Sequence, residues 1–88
     1  MFKIGRIINY YEKIGVAIIS LTGNLSVGDT IKVYKDGEEI LNHYVTDISS
    51  NQKNIPFAKA GDVVGLVLNE KVQKGSDVFR LGQLGTGS

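Results

Sequence analysis

The 88-residue chain has no cysteine, no tryptophan, one proline and one histidine. Without thiols there is no disulfide framework, no zinc–thiolate site and no thiolate nucleophile. A lone His43 cannot build a His-rich metal cluster, and no serine or carboxylate is placed by sequence as its catalytic partner. It reads as structural or merely exposed, and no metal site is expected. Neither sign of charge dominates: ten basic and nine acidic side chains leave a net charge of +1. That balance provides no global attraction to nucleic acid or an anionic membrane, and leaves only local patches to consider. No apolar run approaches the roughly 20 residues of a membrane helix, so no membrane partner is expected. The start, Met1-Phe2-Lys3-Ile4-Gly5, passes straight into strand-like sequence without a signal peptide's apolar block, which points to a cytoplasmic location. Neither Gly-x-x-x-x-Gly-Lys-Ser/Thr nor a Gly-x-Gly-x-x-Gly between strand and helix occurs. GTP binding by this chain alone is therefore not expected, and no cofactor is implied.

What is present is glycine, eleven of them, and clustered β-branched residues. Interior glycine costs a helix about 1 kcal/mol, so this composition suits a many-cornered β fold better than a helical bundle. One pattern recurs. Leu25-Ser26-Val27-Gly28-Asp29-Thr30-Ile31 places an apolar residue before Gly-Asp and then enters a β-branched run. Ala60-Gly61-Asp62-Val63-Val64 repeats it, and Lys74-Gly75-Ser76-Asp77-Val78-Phe79 is a looser version. Glycine takes positive φ at the tight point and aspartate bonds the backbone of its own turn. Each instance is a turn delivering the chain into a strand.

Strands are predicted over residues 3–11, 16–21, 30–35, 38–48, 63–68 and 77–81. Asp36-Gly37 marks a tight hairpin between the third and fourth. Residues 16–21 are apolar on both faces for most of their length, which predicts partial cover on the outer side. Alternation fails near Asn42, where an irregularity is expected. Residues 49–54 read as a polar loop. Pro56 makes residues 55–60 an edge or connector, with Phe57 or Ile55 expected to plug a barrel end. Six or seven short strands with glycine-marked corners predict an all-β fold, a small closed β-barrel in one domain over residues 1–81. Residues 82–88 are expected to form a flexible C-terminal tail.

Four carboxylates (Asp29, Asp36, Asp62 and Asp77) sit in turns, where backbone bonding accounts for them without chemistry. No pair is placed for acid–base work, so catalytic residues are not expected. The surface feature that stands out is basic and aromatic. Lys3, Arg6, Tyr10, Tyr11 and Lys13 crowd the first strand and its turn, and aromatic faces stack bases while Lys and Arg meet phosphates.

Gly5-Arg6-Ile7, Tyr10-Tyr11-x-Lys13-Ile14-Gly15-Val16-Ala17-Ile18, Leu25-x-Val27-Gly28-Asp29-x-Ile31 and Ala58-x-Ala60-Gly61-Asp62-x-Val64-Gly65-Leu66 follow one another in a fixed order. Together they resemble the second, β-barrel domain of EF-Tu-type translational GTPases, over residues 3–81, and in particular stand-alone elongation-factor-like proteins. The chain is similar also to the C-terminal barrel of collagenase-like peptidases, including Tyr-Tyr-x-Lys-Ile, a likeness that brings no catalytic residue with it. The resemblance implies structural roles for Gly5, Gly15, Gly28, Asp29, Gly61, Asp62 and Gly65. It also implies a non-enzymatic module contacting tRNA, rRNA or a translation-related protein; it carries over no tRNA-contact motif, and Lys3, Arg6, Tyr10, Tyr11 and Lys13 are the contact group expected from the residues themselves. The alternative is a protein-interaction module without nucleic acid, self-associating as a homo-oligomer through the outer side of residues 16–21.

Overall fold

A computed structural model describes residues 1–81; the expected C-terminal tail, 82–88, lies outside the described residues. Ten strands follow one another: β1 (Phe2–Tyr11), β2 (Val16–Leu21), β3 (Leu25–Ser26), β4 (Thr30–Lys35), β5 (Glu38–Tyr44), β6 (Ile48–Ser50), β7 (Lys53–Ile55), β8 (Phe57–Ala58), β9 (Val63–Val67) and β10 (Asp77–Arg80). Eight of them form one antiparallel sheet in the order β5-β4-β10-β1-β2-β9-β6-β7, and β3 pairs with β8 in a separate two-stranded ribbon.

The fold is all-β, but the expected closed barrel of the translation-factor type is not there. The sheet is open: its two ends, β5 and β7, do not pair with each other. After Tyr44 the chain leaves β5, and Val45 exchanges hydrogen bonds with Gly28 and Asp29 (2.8 and 2.9 Å), one position beyond the Thr30–Tyr44 pair. The predicted strand over 38–48 is thus cut at Tyr44. The predicted loop at 49–54 is instead a hairpin, β6–β7, turning on Asn51 and Gln52 with φ of 52° and 67°. Positive φ at both central positions is the requirement of a type I′ turn, met here without glycine. Phe57 plugs nothing, being half exposed, whereas Ile55 packs partly against the core.

The core lies on the sheet's inner face. Ile4, Ile7, Ala17, Ile19, Leu21, Leu25, Ile31, Val33, Val45, Ile48, Val64, Leu66 and Val78 are all but inaccessible to water. In β2 the burial alternates strictly, Ala17, Ile19 and Leu21 inward, as the period-2 geometry of a strand requires. Its outward residues are only half buried. Val16 and Ile18 lean over Gly65 of β9, where a Cβ would meet Val16 Cγ1 at 3.3 Å and Ser49 Oγ at 2.9 Å.

The three glycine corners share one geometry. Ser26–Asp29 and Lys59–Asp62 each close through a backbone bond from the fourth residue to the first (3.1 and 3.0 Å), with glycine third at φ 100° and 97°. In both, the aspartate Oδ2 accepts from the first residue's N–H, at 2.8 and 3.0 Å. Gln73–Ser76 repeats the turn with Gly75 at φ 91°, and buried Ser76 takes the aspartate's place, its hydroxyl donating to the Gln73 carbonyl at 2.6 Å. Positive φ third in a four-residue turn is the type II pattern that selects glycine.

Candidate functional site

The five residues expected to form a contact group do not share one surface. Lys3 and Arg6 lie near one end of β1, where Asp77 of β10 engages both, Lys3 Nζ at 3.0 Å and Arg6 Nε at 3.9 Å. Tyr10, opposite Ala17, turns inward and packs partly against the core. Tyr11 is exposed, its hydroxyl accepting from Asn9 Nδ2 at 3.2 Å, and Lys13 is exposed in the following turn. Eight residues of strand separate Lys3 from Tyr11, about 26 Å at the rise of a β-strand. Lys3 and Arg6 line a shallow concavity of about 340 Å³ with Gly5, Ile8, Ser20 and Thr22. Gly5 is needed there for close approach, because a Cβ would lie 2.6 Å from the Ser20 carbonyl oxygen. Of the other glycines in the motifs, Gly15 has φ 68° in the β1–β2 turn, and its carbonyl accepts from Leu68 N–H at 2.9 Å.

A larger concavity, about 440 Å³, lies at the free end of the sheet. Asn42, His43, Tyr44, Thr46, Asp47, Val67 and Asn69 line it, and its volume is within the range of ligand-binding clefts. The register explains the assembly. Ser49 of β6 pairs with Gly65 of β9, and extending that antiparallel register by two residues brings Asp47 alongside Val67. Three consecutive β5 residues line the cavity, although successive side chains of a strand point to opposite faces. The cavity therefore sits at the C-terminal end of β5, beside the corner that follows it and the C-terminal end of β9.

Of the described residues that line it, Asp47 is the one carboxylate. From Asp36 to Gln52 the chain carries Asp36, Glu38, Glu39 and Asp47 and neither lysine nor arginine. Glu39 is engaged by Lys32 Nζ at 3.1 Å; among the described residues Asp47 has no ion-pair partner. Burial holds the His43 imidazole below its ordinary value of 6.5, with the Asp47 carboxylate pulling weakly the other way. His43 is thus neutral at neutral pH. Among the described residues no three His, Asp or Glu side chains converge as a metal site would require. Sequence reasoning set His43 aside, weighed Tyr44 only as part of an aromatic surface, and missed Asn42, Thr46, Asp47, Val67 and Asn69; the one signal was the broken alternation near Asn42.

No family model matches the chain. Over 79 residues, 90% of its length, it is 37% identical to an uncharacterized protease of Methanocaldococcus jannaschii, and it spans only 19% of that protein. Its fold is that of the C-terminal domain of a putative U32 peptidase of Geobacillus thermoleovorans, with a TM-score of 0.83 at 12% identity over 92% of this chain and 93% of that one. The selenomethionine variant of that domain superposes equally well, with a TM-score of 0.83 over 90% of this chain and 99% of that one.

These likenesses correct the functional expectations. The likenesses run to proteins named as peptidases and not to EF-Tu-type modules, which overturns the translation-factor assignment and with it tRNA, rRNA and translation proteins as partners. They give the self-associating alternative no support. The expectation of a non-enzymatic module is overturned too, since the protein to which 90% of the chain is 37% identical is named a protease.

Proposed function

We propose that this chain works in proteolysis, as a domain of a U32-type peptidase that engages polypeptide substrate. The observation that carries this reading is the 37% identity, over 79 residues, to a protein named as a protease. The geometry agrees in two respects. An open sheet with a free edge strand offers unpaired backbone N–H and C=O groups to an extended chain, which is how many domains hold peptides. The acidic stretch 36–52 beside that edge repels phosphate, which disfavours a nucleic-acid ligand there.

The test offers the purified protein a reduced and alkylated, hence unfolded, polypeptide beside its folded disulfide-bonded form. Binding is followed by fluorescence anisotropy and hydrolysis by the appearance of new amino termini. The unfolded form is expected to be bound or cleaved in clear preference to the folded one. If the unfolded form is neither bound nor cleaved, or if tRNA outcompetes it at physiological salt, the reading is wrong.

A further inference from the structure

Resting on the reading above, we propose that a polypeptide docks as an added strand on the free edge of β5 near Leu41–Tyr44, with a lysine or arginine side chain entering the adjoining cavity toward Asp47. The two ends of the sheet are unequal. β7 has three residues and includes Lys53, whereas β5 has seven and neither lysine nor arginine. The N-terminal part of β5 carries the usual protection against edge pairing, two exposed glutamates and a register irregularity opposite Val33/Tyr34. Protection stops after Glu39. From Leu41 to Tyr44 the strand carries no acidic residue, lysine or arginine, and Asn42, His43 and Tyr44 line the cavity.

The cavity's chemistry selects the side chain. An added strand alternates its side chains between faces, and the side chain that passes the C-terminal end of β5, beside Tyr44, is the one within reach of the cavity. Val67 and the Tyr44 ring offer apolar surface to a methylene stem. Asn42, Thr46 and Asn69 offer hydrogen-bond acceptors, and Asp47 offers a carboxylate that no cation of the described chain occupies. A long cationic side chain uses all three features, with its stem on apolar surface and its head at the charge. A neutral His43 adds no opposing charge to the cavity. The partner is therefore an extended peptide bearing a lysine or arginine where it passes Tyr44.

Fluorescence anisotropy with a labelled peptide of alternating lysine and valine tests this, beside the same peptide with acetylated lysines and one with N-methylated alternate amides. The full chain is compared with Asp47→Asn and with Asp36→Asn, a hairpin-turn residue at φ 53° that asparagine tolerates. Asp47→Asn is expected to weaken the lysine peptide about fivefold and leave the acetylated one unchanged. Asp36→Asn should match the parent, and N-methylation in the pairing register should abolish binding. Thermal melts of each variant exclude unfolding as the cause. Equal binding of lysine and acetyl-lysine peptides, or an Asp47→Asn variant that binds the lysine peptide as well as the parent, overturns the docking proposal. If unfolded polypeptide is nonetheless bound or cleaved, the peptidase reading stands without this site. If no polypeptide is bound or cleaved, both are wrong.

Discussion

Two glycines of the sheet and its corners differ in what they do, and substitution separates them. At Gly61 a Cβ would meet nothing within 4 Å, so Gly61→Ala pays only for positive φ, about 1–2 kcal/mol. At Gly5 a Cβ would sit 2.6 Å from a backbone oxygen and 2.9 Å from Ile19 Cγ2, in a strand whose neighbours are fully packed. Gly5→Ala should therefore cost more than Gly61→Ala, and thermal melts should show it; about 1 kcal/mol shifts a domain of this size by roughly 4–8 °C. Equal or reversed shifts would refute the close-approach account. His43 supplies a pH test. Burial keeps the folded imidazole neutral at pH values where the unfolded chain's imidazole, at 6.5, has taken up a proton. The unfolded state then binds more protons, so this contribution to stability is complete above about 6.5 and is lost as pH falls through the lowered folded value. The melting temperature should drop between pH 7 and 5, and His43→Gln should remove part of that slope; an unchanged slope would contradict it. Both glycines were legible in the sequence, but for different reasons. Gly61 stands in the Gly-Asp turn pattern, whereas Gly5 was visible only as an isolated glycine in a strand. His43's partial burial was invisible, because the cavity it lines is assembled from residues far apart in the chain, Asn42 to Asp47 and Val67 to Asn69.

Among the elements, those with clean alternation or a glycine turn could be read from sequence. The strand over 16–21 has its expected bounds, and 30–35 emerges with its Asp36-Gly37 hairpin. The hairpin β6–β7 could not be read. It is made of short polar strands, Ile48–Ser50 and Lys53–Ile55, whose turn residues Asn51 and Gln52 lack the glycine signal. That substitution leaves Gln52 at φ 67°, where an L-residue is strained. Gln52→Gly should create the favoured Asn-Gly type I′ turn and stabilise the protein by about 1 kcal/mol, offset in part by the glycine's greater freedom in the unfolded chain. A fall in melting temperature would mean that the hairpin is not formed as described. The edge strand β5 was read too long for a tertiary reason. Beyond its end Val45 exchanges hydrogen bonds with residues sixteen and seventeen positions earlier, which no local pattern reports.

For the molecule as a whole, short strands and repeated corners led correctly to an all-β fold and wrongly to a closed barrel. Closure depends on whether the last strands meet, and that is decided by the pairing of β5 and β7 rather than by any strand's own sequence. The cavity was hidden for the same reason, since Asp47 and Val67 become neighbours only through the register of β6 with β9. The basic and aromatic residues of the first strand are prominent in sequence but dispersed in space, with Asp77 engaging the two cations at one end and Tyr10 turned to the core. The account's central claim is that this fold engages polypeptide, at its free edge. Amide hydrogen exchange of the protein with and without a saturating unfolded, lysine-bearing polypeptide tests it most directly. The account predicts slowed exchange concentrated in β5 and the following corner, residues 40–47, with β7 unchanged and tRNA without effect. Polypeptide that slows exchange nowhere, or tRNA that slows it where polypeptide does not, would contradict the claim.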